Sequence, residues 1–370
     1  MNLIIFGDLL PKVLSFLHPR DRARAACVSP SWRNVVNGLP HSDELELPDA
    51  LKDNVCDFFE HGGLSPDGTL FSTWLPSNAG ICVWSVEDGS VLRVIPGDHA
   101  GNFGCRFFGP HHLVTAAMGQ YRVVDVRTGE IVMNATLASD VDEDFACICP
   151  GDYDVDARVA VLHENNDISV YQSDQSDLLH AILDISFDDD LPLEDHAVVH
   201  GDTLSYSPSG EKLAVLLWQL GCTELRMWNI LFDGDSVEWN VTCRWWDHEP
   251  AGPTDFQCMA WSTDSRFIAV RAKNEIRVYD TTLEDHGAAF TVERGPAWCL
   301  DWNVDADGRY LLLAVYVDGH IVEHAFRING ANVEERSQRV LTRDRNARFA
   351  KFMASDDVLV ATQTAAYFVQ

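Results

Sequence analysis

The chain has 370 residues, 46% of them hydrophobic, and its 57 acidic and 27 basic residues give a net charge of −30. This composition is typical of a globular protein, and the length allows several domains or one large repeat fold. So acidic a chain is a poor partner for nucleic acid, because that kind of binding needs clustered positive charge.

The ten cysteines are scattered and include no CxxC pair, so we expect buried, reduced thiols rather than a metal site. The first residues lack the basic start and cleavage site of a signal peptide. No run approaches the roughly 18 apolar residues of a membrane span. We therefore expect a protein of the cytoplasm or nucleus, with no membrane, metal or cofactor.

Residues 8–37 have the periodicity of three short helices, separated by proline-containing breaks. Six apolar residues define their faces: Leu10, Val13, Leu14, Leu17, Val28 and Trp32. Helices this short bury too small a core to be stable alone, so this module needs a partner surface. An accessory cap packed on the rest of the chain is the alternative interpretation.

From Glu44 onward the pattern changes to short alternating strands between turns. Related turn sequences recur at Ser65–Gly68, Ser207–Gly210, Ser262–Ser265 and Asp305–Gly308. The repeat of about 40 to 58 residues, with four strands in each unit, predicts a β-propeller.

We predict six complete blades and a seventh that is built from both ends of the chain. The six segments are 56–98, 99–144, 145–197, 198–255, 256–295 and 296–347. Residues 348–370 supply only three strands, and Asp43–Leu47 is predicted to add the fourth and close the ring. The expected fold is therefore mainly β, a seven-bladed propeller (residues 41–370) preceded by a three-helix module (residues 1–40).

Both parts resemble known families. The stretch from Val13 to Asp21, then Ala25–Ser29 and Trp32-Arg33, resembles the F-box, although Ile5-Phe6-Gly7-Asp8 stands where Leu-Pro-x-Glu is usual. Residues 43–370 resemble WD-repeat propellers, although the Trp-Asp signature pair has diverged, for example to Trp228-Asn229 and Tyr279-Asp280.

The resemblance to the F-box/WD-repeat protein family implies a substrate-recognition subunit of an SCF-type cullin–RING ubiquitin ligase. The six apolar residues of the helices would bind a Skp-type adaptor, and the propeller would bind the target protein. Other subunits would transfer ubiquitin, and the chain would not be an enzyme; no GxSxG, HExxH or phosphate-binding loop occurs in it. A WD-repeat scaffold without a ligase connection is the alternative.

One face of a propeller carries both the connections between blades and the turns between second and third strands. Loops 139–144 and 187–195 make part of this face acidic, and its other side carries arginines: Arg271, Arg294, Arg343, Arg345 and Arg348. Aromatic residues lie near the same rim: Trp74, Trp218, Trp245, Trp246, Trp298 and Tyr316. These aromatics either bind a partner or fill the core between blades.

We predict a target-binding site on this face, made of Trp74, Trp218, Trp246, Arg271, Arg294, Tyr316, Arg343 and Arg345. Arginine pairs bidentately with carboxylates and phosphates, so its arginines suit an acidic or phosphorylated peptide. The acidic loops suit a basic tail instead.

Overall fold

The computed structural model describes the chain from Gly63 to Val369 with internal gaps. The described residues are 63–75, 80–87, 90–96, 105–117, 120–136, 145–150, 158–163, 167–172, 181–184, 204–219, 222–233, 236–247, 259–271, 274–282, 289–329, 332–353, 357–362 and 366–369. Every regular element within these ranges is a β-strand. The predicted helices and the predicted closing strand, Asp43–Leu47, lie outside them.

The first three sheets are antiparallel meanders of four strands each, paired in chain order. Sheet 1 contains β1 (Gly63–Leu64), β2 (Leu70–Leu75), β3 (Gly80–Ser85) and β4 (Val91–Pro96). Sheet 2 contains β5 (Cys105–Phe108), β6 (His112–Ala117), β7 (Gln120–Asp125) and β8 (Ile131–Thr136). Sheet 3 contains β9 (Phe145–Pro150), β10 (Arg158–His163), β11 (Asp167–Gln172) and β12 (Ala181–Asp184).

The next three sheets repeat the four-stranded meander, and the last one has three strands. Sheet 4 contains β13 (Leu204–Tyr206), β14 (Lys212–Gln219), β15 (Cys222–Asp233) and β16 (Ser236–Asp247). Sheet 5 contains β17 (Met259–Trp261), β18 (Phe267–Arg271), β19 (Ile276–Asp280) and β20 (Phe290–Val292). Sheet 6 contains β21 (Ala297–Val304), β22 (Tyr310–Tyr316), β23 (His320–Asn329) and β24 (Asn332–Arg343), and sheet 7 contains β25 (Ala347–Phe352), β26 (Val358–Thr362) and β27 (Ala366–Val369).

The middle strands are buried on both faces because each sheet packs between two neighbours. In β3, Ile81 and Val83 pack against sheet 2. The alternating residues Cys82 and Trp84 pack against sheet 7, as the two-residue period of a strand requires. A strand that is buried on both faces therefore has a nearly continuous apolar sequence. A strand with one face exposed to solvent would instead alternate apolar and polar residues.

The sheets close into a ring, because the last one packs on the first. Phe349 and Leu359 of sheet 7 share an apolar cluster with Phe71 and Trp84 of sheet 1. The rings of Phe71 and Phe349 lie 5.8 Å apart. Similar clusters join sheets 5 and 6 and sheets 6 and 7, so at these junctions the core lies between successive sheets.

The recurring turn sequences predicted from the chain are the turns between the first and second strands of four sheets. In each turn the fourth residue donates its N–H to the carbonyl of the first, as Gly68 does to Ser65 and Gly308 does to Asp305. These fourth residues have a positive φ, which suits glycine. Ser265 fills the same position at φ 63°, so one turn tolerates a side chain there.

The propeller architecture is confirmed, and each sheet lies within its predicted segment except that β25 begins one residue early, at Ala347. The prediction of seven complete blades goes beyond the described residues, in which six sheets have four strands and the seventh has three. The outer edge of sheet 7 is β27.

Candidate protein-binding face

The arginine face is our name for one end of sheets 5, 6 and 7. In a meander, the turn between the second and third strands lies at the same end as the connection to the next sheet. Backbone hydrogen bonds show this: Gly295 N donates to Asn274 O at 2.8 Å, and Val317 N donates to Pro296 O at 3.0 Å. Asp344 N donates to Gly319 O at 2.7 Å, so turns and connections form one bonded surface.

Trp298, the second residue of β21, is the centre of this face. The guanidinium carbon of Arg348 lies 4.7 Å from its ring centroid, and that of Arg271 lies 5.9 Å away. Both distances fall within the range of cation–π attraction. Arg348 is further held by hydrogen bonds from Nη1 to the carbonyls of Arg345 (3.0 Å) and Ala347 (3.1 Å). The indole thus brings together two guanidinium groups that come from different sheets.

A second aromatic group lies beside it, where the Arg294 guanidinium carbon is 5.2 Å from the Tyr316 ring centroid. Tyr316 is only 1% exposed, and its hydroxyl lies 2.8 Å from His324 Nε2. Burial raises the pKa of Tyr316. Burial, reinforced by the charge of Arg294, lowers the pKa of His324 to about 4. Both groups are therefore uncharged near neutral pH.

This burial corrects the expectation that Tyr316 contacts a target directly. The side chain belongs to the core between sheets 5 and 6, which was the alternative interpretation for the rim aromatics. The Tyr316 ring instead packs against the guanidinium group of Arg294. Arg271 is also largely buried, at 8% exposure, so it offers a partner little surface.

The connection between β24 and β25 presents the most exposed arginines of the face. Arg343 and Arg345 are both exposed. The connection is held by Asp344, whose carboxylate accepts a 2.9 Å hydrogen bond from the Tyr367 hydroxyl. Gly319 packs directly beneath it, and a Cβ at that position would lie 2.8 Å from the backbone N and Cα of Arg345. The two arginines therefore project from a well-fixed backbone.

The three predicted tryptophans outside sheets 5–7 lie on strand ends that lead to the same end of the ring. Trp74 is next to last in β2, Trp218 is next to last in β14, and Trp246 is next to last in β16. The structure gives their backbone register only, pairing Trp74 with Ile81 and Trp246 with Glu224. The acidic loops and the six predicted adaptor-binding residues lie outside the described residues.

Charge is distributed unevenly along the chain. Residues 259–370, which contain sheets 5–7, hold 13 of the 27 basic residues but only 16 of the 57 acidic ones. Almost all of the net negative charge therefore belongs to residues 1–258. An anionic partner would meet the least repulsion at sheets 5–7.

The sequence pointed to Trp298 and Arg348 as a rim aromatic and a rim arginine, but it did not place them in the site. The nearest local signal is Pro296, directly before the strand that carries Trp298, and it predicts only where that strand begins. The stacking itself depends on Arg271 and Arg348, which are 77 positions apart, and no local pattern reveals such a contact.

The described ranges contain no group of three or more His, Cys, Asp or Glu residues able to hold a metal ion. His320, one of the two histidines of β23, pairs with Asp318 through Nδ1 at 2.8 Å. His324, the other, is bonded to Tyr316. Within the same ranges, no helix is long and apolar enough to cross a membrane.

Comparison with known proteins gives a different result for each part of the chain. Residues 7–41 match the F-box domain family. The search of curated proteins finds no match.

Among solved structures, the β-propeller domain of Cps50 (Swd1) from Myceliophteria thermophila aligns at a TM-score of 0.52 and 13% identity. The alignment covers 70% of this chain and 80% of that one. A chain of the mitotic checkpoint complex aligns at a TM-score of 0.57 and 10% identity, over 88% of this chain and 93% of that one. At such identities the likeness concerns the fold alone.

These observations define a β-propeller fold. An F-box domain precedes it at residues 7–41. The chain thus combines an F-box with a β-propeller.

Proposed function

We propose that this protein is a non-catalytic substrate receptor of an SCF-type cullin–RING ubiquitin ligase. The observation that carries the proposal is the F-box domain at residues 7–41 directly before a propeller. An F-box implies a Skp-type adaptor as partner, and a propeller face offers a large surface for a second protein. Bringing a target close to the transferring enzyme accelerates the reaction by proximity, so the receptor needs no chemistry of its own.

The adaptor-binding residues are proposed to be the six apolar residues of the predicted helices, all of which fall inside the matched range. Two examples are Leu14, on the face of the first helix, and Trp32, in the third segment. An apolar face of this size on so small a module is a typical mark of an interface.

The target-binding site is proposed to be the arginine face, with Arg294, Arg343 and Arg345 as its charged contacts and the Arg271–Trp298–Arg348 stack as its centre. Tryptophan and arginine are the residues most enriched at binding hot spots. Stacking on the indole holds the guanidinium groups in place before a partner arrives, which lowers the entropy cost of binding. The chemistry favours an acidic or phosphorylated segment of the target.

We also propose that Asp43–Leu47 completes sheet 7 as a seventh blade, pairing with β27. Next to that open edge, β4 of sheet 1 exposes Leu92 and Val94, at 46% and 45%. Val94 pairs with Cys82, whose side chain packs toward sheet 7. Leu45 and Leu47 alternate along the proposed strand and suit this apolar surface.

This closure places the domain boundary near residue 41, with the helical module at residues 1–40. Only a few residues then separate the F-box from a strand of the propeller. The module would be held at a nearly constant orientation, so an adaptor and a target bound at the two ends would keep a set distance from each other.

The adaptor proposal is tested by co-purifying the full chain with a Skp-type adaptor. We expect a stable complex, its loss in Leu14→Asp and Trp32→Ala, and its retention in the propeller variant Arg345→Gln. Circular dichroism of each variant checks that the propeller remains folded. If the intact chain binds no adaptor, the alternative stands, in which the protein is a WD-repeat scaffold without a ligase connection.

The target proposal is tested with fluorescently labelled peptides, one glutamate-rich and one phosphorylated, titrated into the full chain at low salt. Arg343→Glu combined with Arg345→Glu should weaken binding about tenfold or more, because two charges facing an anion are reversed. The matched control is Arg127→Glu, an exposed arginine in the β7–β8 turn. Equal affinity in both variants would remove the arginine face from the target site.

A further inference from the structure

Lysine is scarce in this chain although arginine is not. The 27 basic residues are 22 arginines and five lysines, the latter being Lys12, Lys52, Lys212, Lys273 and Lys351. Lysine is normally among the commonest residues of globular proteins. Positive charge on this protein is therefore carried mainly by guanidinium groups and only rarely by primary amines.

Arginine also occupies positions that make no use of its planar fork. Arg127 is held to the Asp125 carboxylate by one nitrogen at 3.2 Å, and Arg339 is held to the Glu323 carboxylate by one nitrogen at 3.1 Å. Both arginine side chains are 60% exposed. A lysine ammonium would serve equally well there, unlike at Arg266, where two nitrogens contact Asp280.

The two lysines within the described ranges have engaged amines. Lys212 Nζ donates to the carbonyl and hydroxyl oxygens of Thr281, at 3.1 and 2.7 Å. Lys351 Nζ donates to Asp301 Oδ1 at 2.7 Å. Burial alone would lower the pKa of Lys351, but the Asp301 charge outweighs it and keeps that pKa above its usual value. These amines are therefore constrained or charged, and both features oppose nucleophilic attack.

Ubiquitin transfer to a protein requires a neutral, accessible lysine amine. The nitrogen attacks the carbonyl carbon of the thioester that joins ubiquitin to the conjugating enzyme. The carbon–sulfur bond breaks, the thiol leaves, and the nitrogen loses its proton as the isopeptide bond forms. A receptor is held near that thioester for as long as the ligase is assembled, so its own lysines compete with those of the target through proximity.

We propose that the scarcity of accessible lysines protects this receptor from ubiquitination by its own ligase. The inference rests on the proposed receptor function. It assigns a role to the use of arginine rather than lysine at exposed positions such as Arg127 and Arg339, where either residue would satisfy the local electrostatics.

The test is a reconstituted self-ubiquitination assay with the full chain, the adaptor, the remaining ligase subunits and methylated ubiquitin, which stops chain growth. The variant carries Arg127→Lys, Arg327→Lys and Arg339→Lys, three exposed positions in sheets 2 and 6 outside the proposed binding sites. A control variant carries glutamine at the same three positions. It loses the same arginines without gaining amines.

We expect little ubiquitin on the wild-type and glutamine chains, and about a twofold or greater rise in conjugates on the lysine variant, located by mass spectrometry at positions 127, 327 or 339. Acylation of the purified variant with an amine-reactive ester verifies that the new lysines are accessible. Heavy conjugation of the wild-type chain, or no conjugate at accessible new lysines, would overturn the proposal.

The same assay distinguishes failure of this proposal from failure of the proposed receptor function. A chain that fails to co-elute with the adaptor removes both. A chain that binds the adaptor and supports transfer to a target, but gains no ubiquitin on its new lysines, removes only the protective role of lysine scarcity.

Discussion

The two ends of sheets 5 and 6 are built from different interactions. At the end opposite the arginine face, which we call the turn face, carboxylates accept several hydrogen bonds each: Asp264 accepts from Ser262, Arg266 and Tyr310. At the arginine face, guanidinium groups stack on Trp298 and Tyr316. The turn face pairs its buried Asp280 with Arg266, whereas the arginine face presents the exposed Arg343 and Arg345. The first arrangement favours stability and the second favours binding.

The largest effect should come from breaking the ion pair of the turn face. Asp280, whose side chain is 2% exposed, accepts from Arg266 Nε and Nη2 and from Thr282. Asp280→Ala leaves a partly buried guanidinium uncompensated, and we expect a loss of about 3–5 kcal/mol in unfolding free energy, measured by urea denaturation. Asp280→Leu combined with Arg266→Met should recover part of it. A loss below about 1 kcal/mol in the single variant would contradict this account.

A matched pair of glycines in sheet 6 compares the two faces directly. At Gly308 (φ +73°, turn face) an added Cβ would meet nothing within 4 Å, whereas at Gly319 (φ +87°, arginine face) it would meet backbone atoms of Arg345 at 2.8 Å. We expect Gly308→Ala to cost about 1 kcal/mol from backbone strain alone. Gly319→Ala should cost about 3 kcal/mol, because overpacking adds to the strain. Thermal denaturation of both variants measures the difference. Equal losses of stability would show that the backbone at Arg345 moves at little cost to accommodate the added methyl group.

The buried pair behind Arg294 should make stability depend on pH. The pKa of His324 is lowered to about 4 in the folded chain, against 6.5 as the ordinary value. Between these values the unfolded chain binds a proton that the folded chain does not. Stability should therefore fall by about 2–3 kcal/mol as the pH decreases from 6.5 to 4, and rise again with pH.

His324→Gln provides the control for this pH dependence, since its amide can still share a hydrogen bond with the Tyr316 hydroxyl without titrating. The difference between wild-type and variant unfolding free energies should shrink as the pH falls through this window. A difference that stays constant between pH 7 and pH 4 would assign the histidine no part in acid sensitivity.

The smallest effect should come from a single hydrogen bond at the turn face. The Tyr310 hydroxyl donates to Asp264 at 2.6 Å, and burial together with this bond raises the pKa of Tyr310 to about 12. Tyr310→Phe should cost about 1 kcal/mol by thermal denaturation, because the ring keeps its packing on Phe267 and only the hydrogen bond is lost. Tyr310→Leu also loses the ring contact and should therefore reduce stability more than Tyr310→Phe. The reverse order would show that the hydroxyl contributes more to stability than the ring packing.

The repeating part of the fold was readable from local signals. Ser65–Gly68 and its relatives predicted turns because a positive φ and a side-chain acceptor are properties of four consecutive residues. The segment Ile81–Trp84 predicted a buried strand because its residues are apolar on both faces. These signals suffice to count sheets and place their boundaries, since each meander is formed by neighbouring segments of the chain.

The site was less readable, for two physical reasons. Tyr316 ends a strand at the rim, and only the packing of sheet 5 against sheet 6 decided that its ring lies in the core. Trp298 became the centre of the face because ring closure brings Arg271 and Arg348 to the same indole. The roles of Trp74, Trp218 and Trp246 stay predictions, as do the adaptor contacts.

The sequence by itself determined the propeller, the F-box at its start, and the unequal distribution of charge and of lysine, because all of these follow from residue type and short-range spacing. The tertiary structure decided which arginines are presented and which are buried. That outcome depends on contacts between sheets far apart in the chain, where stacking energies, burial and the geometry of the ring act together.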